Sequence, residues 1–241
     1  MPSGDAIHAV DLPFVEMLEQ GRDNTITAPA RRSGALVAPL GTPTVSVYNA
    51  SNVAVVDGAT ATVASSVATY AIPEATLADE SLGEGWRVVW SLRLGGVEGV
   101  YDTTAALVRR RLFPVMSHDR LYKRLSSLDP SGTSPVHSRA DFQDELDESW
   151  LTIQQRLMAA GRRPWLVVDP YSLAEVHYHL WLSMIYEDFR TRLSEAYRED
   201  ADRHRAAYDD EWGKLILAYD DDDDGVADQR RAAAPAVLWT A

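Results

Sequence analysis

Asp220, Asp222 and Asp224, followed by Gly225 and Asp228, set carboxylates at alternate positions with a glycine just behind the third. A calcium loop opens this way, because alternate side-chain oxygens turn inward and glycine permits the sharp bend. On that pattern Val226 offers a backbone carbonyl and Asp228 the ninth-position ligand. The twelfth position, where a bidentate glutamate belongs, is Arg231. The run from Asp220 to Asp224 is unbroken, and carboxylates repel by about 1 kcal/mol per pair at ~4 Å even in water. It therefore needs a cation, a basic partner or full solvation. Two readings stay open, a bound calcium ion and a solvated acidic linker.

The one dense basic patch is Arg109, Arg110 and Arg111, with Arg120, Lys123 and Arg124 close behind. These cations either pair with acidic neighbours or receive an acidic surface of the next copy in an oligomer, the aspartate run included. His177 and His179 are two apart, point to different faces of a helix, and do not make a local chelating pair. His8, His118, His137 and His204 are scattered and expected to be exposed. There is no cysteine nucleophile and no nucleophile-elbow pattern. The stretch Gly95-Gly96-Val97-Glu98-Gly99 lacks the lysine and the strand-to-helix setting of a phosphate loop. The neighbouring carboxylates of Asp144-Glu145 and Glu187-Asp188 diverge on a helix. The chain is not expected to be an enzyme.

Composition narrows the partners. A formal net charge of −13 argues against non-specific binding to nucleic acid or anionic membrane, which calls for clustered Lys and Arg. With no cysteine there is neither a disulfide framework nor a thiolate metal site. No apolar run approaches the ~20 residues that span a bilayer, and a basic-then-apolar leader pattern is missing. The expectation is a protein made and used in a soluble compartment, with 46% hydrophobic residues and seven tryptophans enough to build a real core.

The elements that must carry these residues change character near Arg109. Before it the apolar spacing is two; after it, three and four. Trp86, Val88, Trp90, Leu92 and Leu94 fall on one face of a strand and Arg87, Ser91 and Arg93 on the other. Val53 to Val56 and Ala59 to Val63 flank Asp57-Gly58, which predicts a tight hairpin turn, and Gly95-Gly96 predicts another. With Asn24 to Ala28, Ala35 to Ala38, Thr44 to Tyr48, Val67 to Ile72, Val97 to Asp102 and Thr104 to Val108, the pattern is that of an antiparallel, immunoglobulin-like β-sandwich over residues 23–110. Residues 1–22 are read as an N-terminal arm or short helix. Trp86 and Trp90 are core in the simplest reading, and a carbohydrate-stacking face is the alternative.

Residues 111–219 read as four helices forming an antiparallel bundle. Ser117 or Asp119 caps a short one with Leu121, Leu125 and Leu128, stopped by Asp129-Pro130-Ser131-Gly132. Ser138 with Asp141 resembles a capping box for the helix carrying Phe142, Leu146, Trp150, Ile153 and Leu157. Asp169-Pro170 opens the third, with Leu173, Val176, Leu180, Met184 and Ile185. The fourth runs from about Asp200 to Tyr219. Residues 220–241 are the acidic loop and an extended tail. The expected class is thus α+β, a β-sandwich followed by a helical bundle.

The helical half resembles the head-to-tail adaptor (connector) proteins of tailed bacteriophages. The likeness rests on Leu125-Ser126-Ser127-Leu128-Asp129-Pro130, on the Trp150 to Gly161 helix running into Arg162-Arg163-Pro164, and on Tyr186-Glu187-Asp188 within the third helix. The last part is Trp212, Leu215 and Tyr219 running into Asp220 to Gly225. It covers about Arg111 to Asp228. The resemblance implies a homo-oligomeric ring, typically dodecameric, in the virion neck, assembled in the host cytoplasm. Such a ring extends the DNA channel from the portal protein to the next neck or tail protein. It implies a docking tail, Gln229 to Ala241, anchored by Val237, Leu238 and Trp239, since buried aromatics dominate interface energy. The acidic balance suits a conduit that passes DNA without gripping it. A calcium-dependent surface or carbohydrate-binding protein is the alternative that the residues alone leave open.

Overall fold

The computed structural model describes residues 8–132, 137–220, 224 and 226–232. The chain is α+β: it divides into two compact units, Met1–Arg111 made of β-sheet and Leu112–Ala241 made chiefly of helices.

The first unit holds two five-stranded sheets. One runs β1 (His8–Val10), β3 (Asn24–Arg32), β8 (Val67–Ile72), β7 (Thr62–Ala64), with β4 (Ala35–Leu36) on the end of β3. The other runs β2 (Val15–Glu19), β10 (Val97–Val108), β9 (Gly83–Leu94), β5 (Leu40–Tyr48), β6 (Ala54–Thr60), and a single helical turn, α1 (Glu74–Leu77), precedes β9. Inward residues of both sheets join one cluster. Trp86 and Trp90 on β9 bring the bulk, and Ala28, Ala30 and Ala68 on β3 and β8 leave room for it. The order β1-β3-β8-β7 facing β10-β9-β5-β6 is the strand order of an immunoglobulin-type sandwich.

In the first unit three features differ from expectation. Residues 8–10 and 15–19 are neither a free arm nor a helix, because β1 and β2 each add a strand to one sheet. The sandwich is not wholly antiparallel, since β2 pairs in parallel with β10, Val15 beside Thr104 and Glu19 beside Val108. Asp57-Gly58 is not a hairpin turn. β6 runs straight through it as a bulge, with Val56 opposite Val47 and Ala59 opposite Val45, and Gly58 N–H donates to Ser46 Oγ at 2.9 Å. A positive φ of 55° at Gly58 suits a bulge as well as a turn, and the dipeptide alone does not discriminate. The turn before β6 is built instead on Asn49, whose Oδ1 accepts from Ser51 and Val53 N–H. Gly95-Gly96 does make the predicted hairpin, with φ of 59° and 90° joining β9 to β10.

The second unit contains α2 (His118–Arg124), α3 (Gln143–Ala159), α4 (Ala174–Arg192) and α5 (Arg198–Lys214). Both α3 and α5 pack on α4, which buries Val176, His177, Leu180, Trp181, Leu182, Ile185 and Phe189. Ser117 caps α2, and Asp169 Oδ1 accepts from Tyr171 N–H to cap a 3-10 turn that runs into α4. The box expected at Ser138 does not form: α3 starts at Gln143, and Asp141 Oδ1 takes the Gln143 N–H. The last helix also stops early. Leu215 adopts φ −63°, ψ 122°, and the chain continues as β11 (Ile216–Tyr219), paired antiparallel with β12 (Gln229–Ala232), so the first four residues expected in the docking tail are instead a strand of this unit. Among the described residues no helix is long and apolar enough to cross a membrane.

Candidate functional site

The end of the second unit is a small sheet. Val167 bridges Tyr219, Val168 N–H donates to Ala218 O and Asp220 N–H to Leu166 O, both at 3.0 Å, so residues 166–168 line one side of β11 and β12 the other. Leu215, Leu217 and Tyr219 are buried at period two while Ile216, between them, is 60% exposed. Val168 at 39% and Tyr171 at 56% are exposed as well, with the Phe113 ring 6.0 Å from that of Tyr171. β12 pairs only with β11 among the described residues, so its far edge carries backbone donors and acceptors that no described strand uses.

The aspartate run is the connection of this hairpin. Asp220 is buried, its Oδ1 accepts from Asp224 N–H at 2.9 Å, and Asp224 Oδ1 accepts from Val226 N–H at 2.7 Å. Asp228 N–H returns to Tyr219 O at 2.8 Å. These aspartates thus shape the loop by capping its own backbone. Asp222 and Gly225 lie outside the described residues, as do Val237, Leu238 and Trp239. Among the described residues no group of three or more His, Asp or Glu is gathered as a metal would need. Calorimetric titration with Ca²⁺ tests the loop. The sequence spacing predicts saturable heat that Asp224→Asn abolishes, and a flat titration of the parent chain removes the calcium reading.

The six basic residues fall in both units. In the first, Arg111 Nη2 donates to Asn24 Oδ1 at 2.8 Å, and burial pushes the Glu16 carboxyl up while Arg111 pulls it back. Arg109 and Arg110 are exposed. In the second, Arg120 donates to Val115 O at 2.6 Å, and Lys123 meets Asp119 at 2.7 Å. Arg124 makes a two-point pair with Glu175 at 2.5 and 3.0 Å. That pair holds the Glu175 carboxyl below its ordinary value, and the Tyr178 ring lies under the guanidinium at 4.4 Å.

The histidines are not the exposed, scattered set that the sequence suggests. His118 Nε2 accepts from Phe142 N–H at 3.1 Å, so it caps the start of α3, and its ring meets Trp181 edge-on. His137 sits 2.9 Å from Leu128 O through Nε2, takes the Arg139 N–H on Nδ1, and packs on Phe142 and Phe189. His179 on α4 and His204 on α5 approach Nδ1 to Nδ1 at 3.0 Å, with Tyr186 stacked on His204. Desolvation drives His204 down to about 4, reinforced by His179 and Arg203. One signal could have found His204: it stands four residues before Tyr208 and eight before Trp212, on the buried stripe of α5.

His177 is fully buried against Trp150, and neither ring nitrogen has a hydrogen-bond partner among the described residues. The Leu146 carbonyl lies close enough to oppose the shift but already accepts from Ser149 Oγ at 2.9 Å, and desolvation takes His177 down to about 4. An unfolded chain, with an ordinary histidine near 6.5, therefore binds a proton that the folded chain refuses. Stability is whole above about 6.5 and is lost as pH falls toward about 4, by roughly 3 kcal/mol for this one group. His177→Leu is expected to reduce that loss. Urea melts of both proteins at pH 7 and 4.5 check it, and an unchanged pH dependence would contradict the burial argument.

No family profile matches the chain, and no curated protein does. Solved structures that it is similar to include a chimeric titin Z1Z2 functionalized with a KLER exogenous peptide from decorin, at 18% identity over 42% of this chain and 90% of that one, TM-score 0.25. Another is titin M4 in its trigonal form, at 16% identity over 42% of this chain and 92% of that one, TM-score 0.25. A third is the I67-I69 I-band fragment of titin, at 11% identity over 43% of this chain and 35% of that one, TM-score 0.26.

Proposed function

We propose that the chain is a viral structural protein, a head-to-tail adaptor that forms a ring between the portal protein and the next neck or tail protein and lines the passage of DNA. The observation that carries this reading is the terminal sheet, where no described strand uses the far edge of β12, its partner β11 carries the exposed Ile216, and the exposed Val168 lies on the opposite side of β11. An unused strand edge beside exposed apolar side chains suits capture of another protein chain better than chemistry on a small molecule. The order of helices α2 to α5 supports this reading, although α5 ends at Lys214 and β11 stands between it and the acid-rich connection. On this reading the helices are the bundle of the adaptor, and the chain beyond Ala232 is its tail, with Val237, Leu238 and Trp239 as anchors. The copies form a homo-oligomeric ring, dodecameric in the usual case, and the net charge of −13 keeps its wall from holding DNA.

Truncation after Ala232 leaves β12 its pairing with β11. It is expected to weaken capture by the portal ring encoded in the same genome by at least about tenfold, since the aromatic anchor is gone. The thermal midpoint should stay where it was. Co-sedimentation with and without the last residues reads the effect, and equal capture would refute the docking role of the tail.

A further inference from the structure

The first unit carries a cleft of ≈ 450 Å³ that the adaptor reading does not use. It lies at the end of the sandwich where inward-facing positions of the two sheets stop meeting. Along β3 the inward residues are Asn24, Ile26, Ala28 and Ala30, and the next position in the same alternation is Arg32. Its cross-strand partner on β1 is His8. From the other sheet come Leu94, Val97 and Tyr101, with Leu94 paired to Val97 and Tyr101 to Trp90. A core would continue with apolar groups at these positions. Here the sequence supplies a guanidinium and an imidazole from one sheet, facing Leu94, Val97 and the phenol of Tyr101 on the other.

None of these three polar side chains makes a hydrogen bond or ion pair among the described residues, although Arg31, one position earlier, pairs with Asp11 and donates to Gly34 O. The hairpin glycines that fail as a phosphate loop also acquire a role. A Cβ at Gly95 would lie 2.7 Å from His8 Cε1, and one at Gly99 would lie 2.8 Å from the Tyr101 hydroxyl. Both rings are therefore seated by the absence of a side chain on the β9–β10 hairpin. Glu98 stands at the rim, but its register pairs it with Arg93, whose alternation belongs to the outer face of the sheet.

We infer that this cleft binds a small amphiphilic carboxylate, with the carboxylate on Arg32 and His8 and its apolar body against Leu94, Val97 and Tyr101. A guanidinium takes a carboxylate by two parallel charge-assisted bonds, and the volume is that of small-molecule sites, which pair an apolar lining with a few polar groups. Glu98 at the rim disfavours multiply charged anions.

The test uses the full chain and phenylacetate as probe, with phenylacetamide as its uncharged isostere, followed by ligand-observed saturation-transfer NMR. Phenylacetate is expected to saturate at low millimolar concentration or below, and phenylacetamide to bind at least about tenfold more weakly. Arg32→Gln, an exposed substitution, is expected to remove that preference while leaving the thermal midpoint unchanged. Gly95→Ala, which forces His8 aside, is expected to weaken the probe too. Equal binding of acid and amide, no saturation by about 10 mM, or an unaltered preference in Arg32→Gln would overturn the assignment.

Discussion

Trp181→Ala is expected to destabilise the helical unit by about 3–5 kcal/mol, the usual cost of deleting a fully buried indole. Trp181 has no exposed surface and packs among Met116, Leu121, Leu128, Phe142, Leu146, Leu182, Ile185 and Phe189. Its Nε1–H donates to Phe142 O at 3.2 Å, the carbonyl that also accepts from Leu146 N–H in the first turn of α3. His118 leans on its ring and takes the Phe142 N–H. Removing the indole therefore opens a cavity and loosens the residue that starts α3. With total stabilities of roughly 5–15 kcal/mol, the loss should lower the melting temperature by about 10 °C or more. Calorimetry reads it directly, and a cost under about 1 kcal/mol would contradict the packing described for α2, α3 and α4.

The second large effect is on docking. Ile216→Asp combined with Val168→Asp is expected to reduce capture by the portal ring by about a hundredfold or more, as two apolar contacts are replaced by charges that the interface must desolvate. Both side chains point to solvent in the free chain, so the cost to folding should be small. Val97→Asp, at a 73% exposed position on the first unit, serves as the matching surface change and is expected to leave capture unaltered. Quantitative pull-down with the three proteins decides it. Equal capture by all of them would remove the terminal sheet from the interface.

The β-rich and helical halves were legible because strand and helix periods differ over long stretches. Trp86 to Leu94 alternates five times and is buried as read, and the Phe142 to Leu157 stripe is buried residue for residue. Short segments were less legible. Trp212, Leu215, Ile216 and Tyr219 satisfy the helical period, while Leu215, Leu217 and Tyr219 satisfy the strand period. Pairing with residues 166–168 and 229–232, far away in sequence, settles the choice. Asp57-Gly58 failed for a similar reason, because a positive φ at glycine serves a bulge and a turn alike. The parallel edge of β2 depends on a partner some ninety residues on, which no local pattern announces. Of the candidate site, the aspartates were visible as a loop, but their hydrogen bonds to Asp224 and Val226 N–H required the fold. The His179 to His204 contact was hidden because the partners lie on different helices.

The most direct test of the adaptor reading mixes the 241-residue chain with purified portal rings from the same genome and images the product by electron microscopy. The account predicts a second ring of density seated on one face of the portal, absent when the chain is truncated after Ala232. Portal rings that stay bare at high chain concentration, or a genome that encodes no portal, would contradict it.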